Sequence, residues 1–228
     1  MKIGVLADET SVARRAAEII AGEARVAIAA RGSFTLAVSG GRTPWAMLRM
    51  LAGENVPWDA VHVFQVDERV APAGDIDRNL THIAESFLSR VPAARMHAMP
   101  VEATDPIQAA ARYANELHAI AGSPPVLDLV HLGLGPDGHT ASLVPGDSVL
   151  DVADLDVAVT GIYQKRRRMT LTLPTINRAR TILWVVTGAE KTAMLERLRA
   201  GDPAIPAGRV RQENALVLAD RAAAGRAD

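Results

Sequence analysis

The chain contains no cysteine. That absence excludes disulfides, thiolate metal centres and a cysteine nucleophile together, and it suits a reducing, cytoplasmic setting. Neither sign of charge is in excess, with 25 Lys and Arg against 26 Asp and Glu. A net charge of −1 argues against DNA or an acidic membrane surface as the main partner. Long apolar runs are missing too; none approaches the ~20 residues that a membrane helix needs. The opening Met1-Lys2-Ile3-Gly4-Val5-Leu6-Ala7-Asp8-Glu9 meets acid too early for a secretory signal. Repeats, low-complexity blocks and long linkers are lacking, and Pro124-Pro125 and Asp202-Pro203 punctuate the chain without dividing it. For 228 residues the expectation is one soluble domain over 1–228, with 222–228 as a frayed tail.

What is present is an alternation of short β-branched runs with longer amphipathic stretches. The pattern predicts strands at 2–6, 34–38, 61–66, 127–132, 169–173, 181–187 and 215–218, and helices at 10–30, 44–52, 80–88, 105–121 and 190–199. Asp105-Pro106 supplies an N-cap and a first-turn proline to one of the helices. The nearly continuous apolar runs at 61–66 and 127–132 suit strands covered on both faces. The alternation predicts an α/β fold with a mainly parallel sheet.

In such sheets ligands sit beyond the carboxyl ends of the strands, so the segments after each strand carry the functional reading. Ser39-Gly40-Gly41-Arg42-Thr43-Pro44 joins a strand to a helix start. Its glycines let the backbone approach an anion, and Thr43 is placed to cap the helix and still donate its hydroxyl; a phosphate is the natural guest. A plain βα turn would use the same residues. Ser39 as a nucleophile lacks the elbow motif, since position 37 is Ala. Gly133-Leu134-Gly135-Pro136-Asp137-Gly138 matches the dinucleotide fingerprint, but Pro145-Gly146 stops the helix that the fingerprint requires, so no nucleotide cofactor is expected. His139 behind it titrates near neutrality by its nature, and Asp137 can fix its tautomer. Asp67-Glu68-Arg69 is either a structural ion cluster or an oxyanion-stabilising arginine held by acids. Lys191, behind Gly188, is placed to meet a phosphate as a point charge. In Lys165-Arg166-Arg167-Arg168 one arginine is expected to face the site and the rest to be solvated. His62, His82, His97, His118 and His131 form no HExxH pattern, and no metal site is expected.

Five segments, in order, are similar to the 6-phosphogluconolactonase family over nearly the whole chain. They are Ser39–Pro44, Val66–Arg69, Leu132–Leu143, Arg168–Pro174 and Thr187–Lys191. The resemblance implies a Rossmann-like sheet with helices on both faces, no cofactor, and hydrolysis of 6-phosphoglucono-δ-lactone in the pentose phosphate pathway. It implies His139 as general base with Asp137 in the same loop. It further implies that Gly40, Gly41, Thr43, Arg168 and Lys191 hold the sugar phosphate, with Ser39 and Arg42 in the same turn. Arg69 is expected in the site, at the reacting carbonyl, where a backbone N–H is the alternative donor, or at the phosphate, with Asp67, Glu68 and Asn79 as its support. The partners expected are the small sugar phosphate lactone and, as the one oligomer considered, a homodimer. Many relatives carry a Lys-Pro-Pro stretch before the Arg-x-Thr-Leu-Thr strand; here it reads Tyr163-Gln164-Lys165-Arg166-Arg167. Two alternatives stand beside this reading. A glucosamine-6-phosphate deaminase resembles it in fold and in the Asp-Gly-His loop, but that family has glutamate where Val144 precedes Pro145, and an aromatic residue at Arg69. A sugar-phosphate-sensing domain would need a helix-turn-helix ahead of the sheet, where only a strand and one helix are predicted.

Overall fold

The computed structural model describes residues 1–225. β1 (Lys2–Leu6) leads into α1 (Glu9–Arg31). Asp8 caps that helix by accepting from the Ser11 amide at 2.7 Å, and Gly32 at φ 82° ends it. β2 (Phe34–Val38) and α2 (Arg42–Leu51) follow, then β3 (Val61–Gln65) and β4 (Asp67–Arg69). α3 (Asn79–Ile83) continues through Ala84–Leu88 as a π-helical turn. β5 (Arg95–His97), α4 (Pro106–Ala121) and β6 (Leu129–Leu132) come next. The path closes with β7 (Val157–Val159), β8 (Arg168–Leu171), α5 (Leu173–Arg178), β9 (Thr181–Val186), α6 (Thr192–Arg199) and β10 (Ala215–Asp220).

Seven strands form one parallel sheet in the order β1-β10-β9-β6-β2-β3-β5. Alternation along each strand divides its side chains between two cores. Phe34, Leu36 and Val38 of β2 and Leu183 and Val185 of β9 pack with Ala16 and Ile20 of α1 and Met47 of α2. Ala37, Phe64, Val130 and Trp184 face the other way and meet Tyr113 and Leu117 of α4, Ile176 of α5 and Leu195 of α6. Helices therefore cover both faces. No helix among the described residues is long and apolar enough to cross a membrane.

The strand expected at 169–173 does not join this sheet. It is β8, the centre of a separate antiparallel sheet in the order β4-β8-β7. Its last expected residue, Leu173, instead opens α5, whose first turn accepts Pro174. Asp67–Arg69, expected as a loop, is β4, because pairing with β8 supplies the backbone partners that its charged side chains do not advertise. Thr43 is not the cap of α2: the helix starts two residues earlier than expected, and Gly41 holds the cap position without a side-chain bond. The tail expected to fray from 222 is ordered to 225, with Ala223 fully buried and its amide donating to Asp220 Oδ1 at 2.7 Å. Residues 226–228 lie outside the described part.

One feature of the strand order places the site. From β2 the chain moves outward to β3 and β5, and from β6 it moves the other way to β9 and β10. β2 and β6 are neighbours, so a crevice opens between their carboxyl ends. The four adjacent strands β9, β6, β2 and β3 are followed in the chain by 187–191, 133–139, 39–41 and 66–69. The segments singled out by motif thus meet at one edge.

Candidate active site

A cleft of about 200 Å³ lies there, lined by Ser39, Gly40, Asp67, Arg69, Asn79, Gly133, Gly135, His139, Arg168 and Lys191, among others. His139 Nδ1 lies 2.5 Å from Asp137 Oδ1, and the same oxygen accepts from the His139 amide at 3.1 Å. With Nδ1 so engaged, Nε2 is the ring nitrogen left for chemistry. Burial alone would raise the Asp137 carboxyl, but hydrogen bonds from His139 and from the Tyr163 hydroxyl hold it below its ordinary value. Gly135 gives the imidazole its seat: a Cβ there would fall 2.1 Å from His139 Nδ1.

Opposite stands a network built on one buried carboxylate. Glu68 accepts from the amides of Arg69, Asn79 and Leu80 and from Gln65 Nε2, each at 2.8 Å. Arg78 adds its charge at 3.4 Å. These bonds fix Asn79, whose Oδ1 accepts from Arg69 at 2.7 Å and whose Nδ2 donates to the Asp67 carbonyl at 2.9 Å. Ser142 Oγ donates to Asp67 Oδ2 at 2.6 Å and locks that carboxylate from below. Gly40 permits the close approach of the two walls, since a Cβ there would meet Asn79 Oδ1 at 1.9 Å. Glu68 and Arg78 are both buried, so Glu68→Ala should destabilise the fold by about 3–5 kcal/mol, by leaving three amides and the Gln65 side chain without their acceptor and Arg78 with Glu102 as its one carboxylate partner. Urea unfolding reads this as a lowered midpoint.

The other cations face the cleft less encumbered. Arg168 is 4% exposed, and its Nε is buried without a hydrogen-bond partner. Burial, and then the neighbouring charge of Arg69, push its guanidinium below its ordinary value. An anion in the cleft would relieve both costs. Arg166 instead pairs with Asp75 at 3.1 Å and Asp77 at 2.8 Å, and Arg167 is exposed. Of the basic run, Arg168 alone lines the cleft beside His139. A second lobe of about 210 Å³ adjoins, lined by Gly40, Gly41, Arg42, Thr43 and Lys191 with others. Lys191 and Gly40 border both lobes, whereas Arg168 belongs to the His139 lobe and Gly41, Arg42 and Thr43 to the second.

Two hydroxyls of the glycine turn are engaged within the protein itself. The Thr43 hydroxyl donates to Glu9 Oε1 at 2.7 Å and lies 2.8 Å from Thr187 Oγ1. Ser39 Oγ donates to the His131 carbonyl at 3.0 Å and not to an imidazole or carboxylate. His131, pushed down to about 3 by complete burial, stays neutral and accepts the Ser39 amide on Nδ1 at 3.3 Å. Both serve the shape of the turn. The motifs did not point to Tyr163 as a partner of Asp137, or to Ser142 as the anchor of Asp67. Ser142 stands inside the matched Leu132–Leu143 segment, and Tyr163 in the stretch that departs from it. Among the described residues no group of three or more His, Asp or Glu is arranged to hold a metal ion.

Over residues 7–218 the chain matches the model of a family described as glucosamine-6-phosphate isomerases/6-phosphogluconolactonase. It is 40% identical over 205 residues to a 6-phosphogluconolactonase of Synechocystis sp., covering 87% of this chain and 85% of that protein. The solved 6-phosphogluconolactonase from Trypanosoma cruzi superposes with a TM-score of 0.88 at 26% identity, covering 98% of this chain and 96% of that one. A monomeric glucosamine-6-phosphate deaminase superposes with a TM-score of 0.85 at 20% identity over 99% of both chains, a likeness of fold alone.

Proposed function

We propose that this chain, which belongs to the glucosamine-6-phosphate isomerase/6-phosphogluconolactonase family, hydrolyses 6-phosphoglucono-δ-lactone to 6-phosphogluconate with His139 as general base. The observation that carries the reading is one cleft holding an aspartate-oriented imidazole together with unpaired cations and a glycine turn. The phosphate rests on Lys191 and the amides of the Gly40-Gly41 turn, where the two lobes join, with Arg168 as the second cation. The lactone ring then reaches toward His139.

His139 Nε2 takes a proton from water as its oxygen bonds to C1. Negative charge gathers on the former carbonyl oxygen, and Arg69, held by Asn79 and the Asp77 carbonyl, receives it. The C1–ring oxygen bond breaks, His139 returns its proton to the departing oxygen, and the acid ionises to 6-phosphogluconate. Asp137 stabilises the imidazolium between the two transfers. A base contributes ~10²–10⁴-fold and one oxyanion donor ~10²–10³-fold, enough for an activated ester. Support against a deaminase comes from Val144, which is buried and apolar and brings no carboxylate to the loop.

The test is a coupled assay on freshly made lactone, with spontaneous hydrolysis subtracted and glucosamine 6-phosphate run beside it. Lactone turnover without ammonia release is expected; ammonia release without lactone turnover would overturn the reading. Lys191 borders both lobes of the cleft, so Lys191→Ala should act chiefly through substrate. It should raise KM by roughly 10- to 100-fold, the equivalent of one charge-assisted bond, and flatten the preference for phosphorylated over plain gluconolactone. Retention of that preference would remove Lys191 from the phosphate site.

A further inference from the structure

Tyr163 touches three parts of the site at once. Its hydroxyl donates to Asp137 Oδ2 at 3.1 Å, on the oxygen that His139 does not use. Its ring meets the His139 ring edge-on, with centroids 5.6 Å apart. On that same ring lies the Arg168 guanidinium, 4.9 Å from the centroid. We propose that Tyr163 is a positioning residue, holding the Asp137–His139 pair in register and tying it to the cleft arginine. The proposal deepens the lactonase reading and rests on His139 being its base.

The hairpin that carries Tyr163 is built to keep it still. Tyr163 and Arg166 exchange backbone bonds at 3.0 and 3.2 Å around a two-residue turn. Both turn residues, Gln164 at φ 48° and Lys165 at φ 68°, are left-handed without being glycine, a geometry that suits a tight hairpin and costs side-chain-bearing residues energy. The offsetting contacts are visible: Arg166 pairs with Asp75 and Asp77, and Gln164 Oε1 accepts from Arg168 at 2.9 Å. The Tyr163 hydroxyl remains a donor, because burial and the bond to Asp137 both raise it above its ordinary value.

The hydroxyl draws negative charge away from the Asp137 carboxylate. Its removal leaves more of that charge for His139, stabilises the imidazolium, and delays the appearance of the free base to higher pH. The charged groups that face the pair are Arg168 from β8 and Asp67, Arg69 and Lys191 across the cleft. A Tyr163→Phe substitution touches none of them and keeps the ring in place for Arg168.

The experiment compares wild type, Tyr163→Phe and Tyr163→Leu in pH–rate profiles on the fresh lactone, with the His139 ring titration followed by NMR in the free enzymes. Tyr163→Phe should lower kcat roughly 3- to 10-fold with KM nearly constant. It should also move the acid limb of the profile to higher pH. Tyr163→Leu should in addition raise KM, since Arg168 loses its aromatic seat. Profiles and ring titration of Tyr163→Phe that superimpose on wild type would overturn the proposal. A His139→Gln control separates the two levels: normal turnover there removes the base and this proposal with it, whereas an inactive His139→Gln beside an unaltered Tyr163→Phe removes Tyr163 alone.

Discussion

His139→Gln should lower kcat by ~10²–10⁴-fold while leaving the binding of 6-phosphogluconate nearly unchanged. Glutamine approximates the reach of the imidazole and can hold a hydrogen bond to Asp137, but it has no nitrogen that takes up a proton near neutral pH. The proposed binding contacts lie elsewhere, on Lys191, Arg168 and the Gly40-Gly41 turn, so kcat and affinity should part company. A coupled assay gives the first quantity and titration calorimetry with 6-phosphogluconate the second. Turnover within a few-fold of wild type would show that the proton leaves water by another route.

Gly135→Ala should come close to the same loss, although it removes no functional atom. An alanine Cβ would lie 2.1 Å from His139 Nδ1 and 2.3 Å from Cε1, well inside contact distance. The backbone at 135 does not have the positive φ that reserves Gly138 for glycine, so the loop itself accepts the methyl group. The imidazole must therefore swing aside and give up its 2.5 Å bond to Asp137. A displacement of an ångström in a reacting group is enough for about 10²-fold in rate. The fold should survive, because the His139 side chain is 21% exposed and has room to move. Far-UV circular dichroism and the unfolding midpoint should match wild type while kcat falls; wild-type kcat would mean that the ring does not need this seat.

How much of this was legible in the chain depends on where each contact lies along it. β2 and β6 announce themselves because both faces of each are buried, and buried parallel strands read as apolar runs. The turns after them stand out because the glycines next to Arg42 and His139 have few uses in a core. β4 and β7 leave no such trace. Each has three residues and is held by pairing with β8: β4 is charged throughout, and the Val-Ala-Val of β7 is too short a run to stand out. α5 is hidden for another reason, as Leu173-Pro174 ends an apparent strand as plausibly as it begins a helix. The Thr43 hydroxyl is taken by Glu9, 34 positions away, and Asp67 is locked by Ser142, 75 positions away. Neither spacing repeats in any local pattern. Tyr163 is the extreme case, a lone aromatic in a polar stretch whose value comes wholly from where the hairpin delivers it.

The most direct measurement is a crystal structure of the protein with 6-phosphogluconate bound. The proposed chemistry requires the phosphate against Lys191 and the Gly40-Gly41 turn, and the carboxylate carbon within hydrogen-bond reach of His139 Nε2, or one water away. A product whose carboxylate points into the lobe beside Thr43, leaving the imidazole facing the phosphate or empty solvent, would contradict the assignment of His139 as the base.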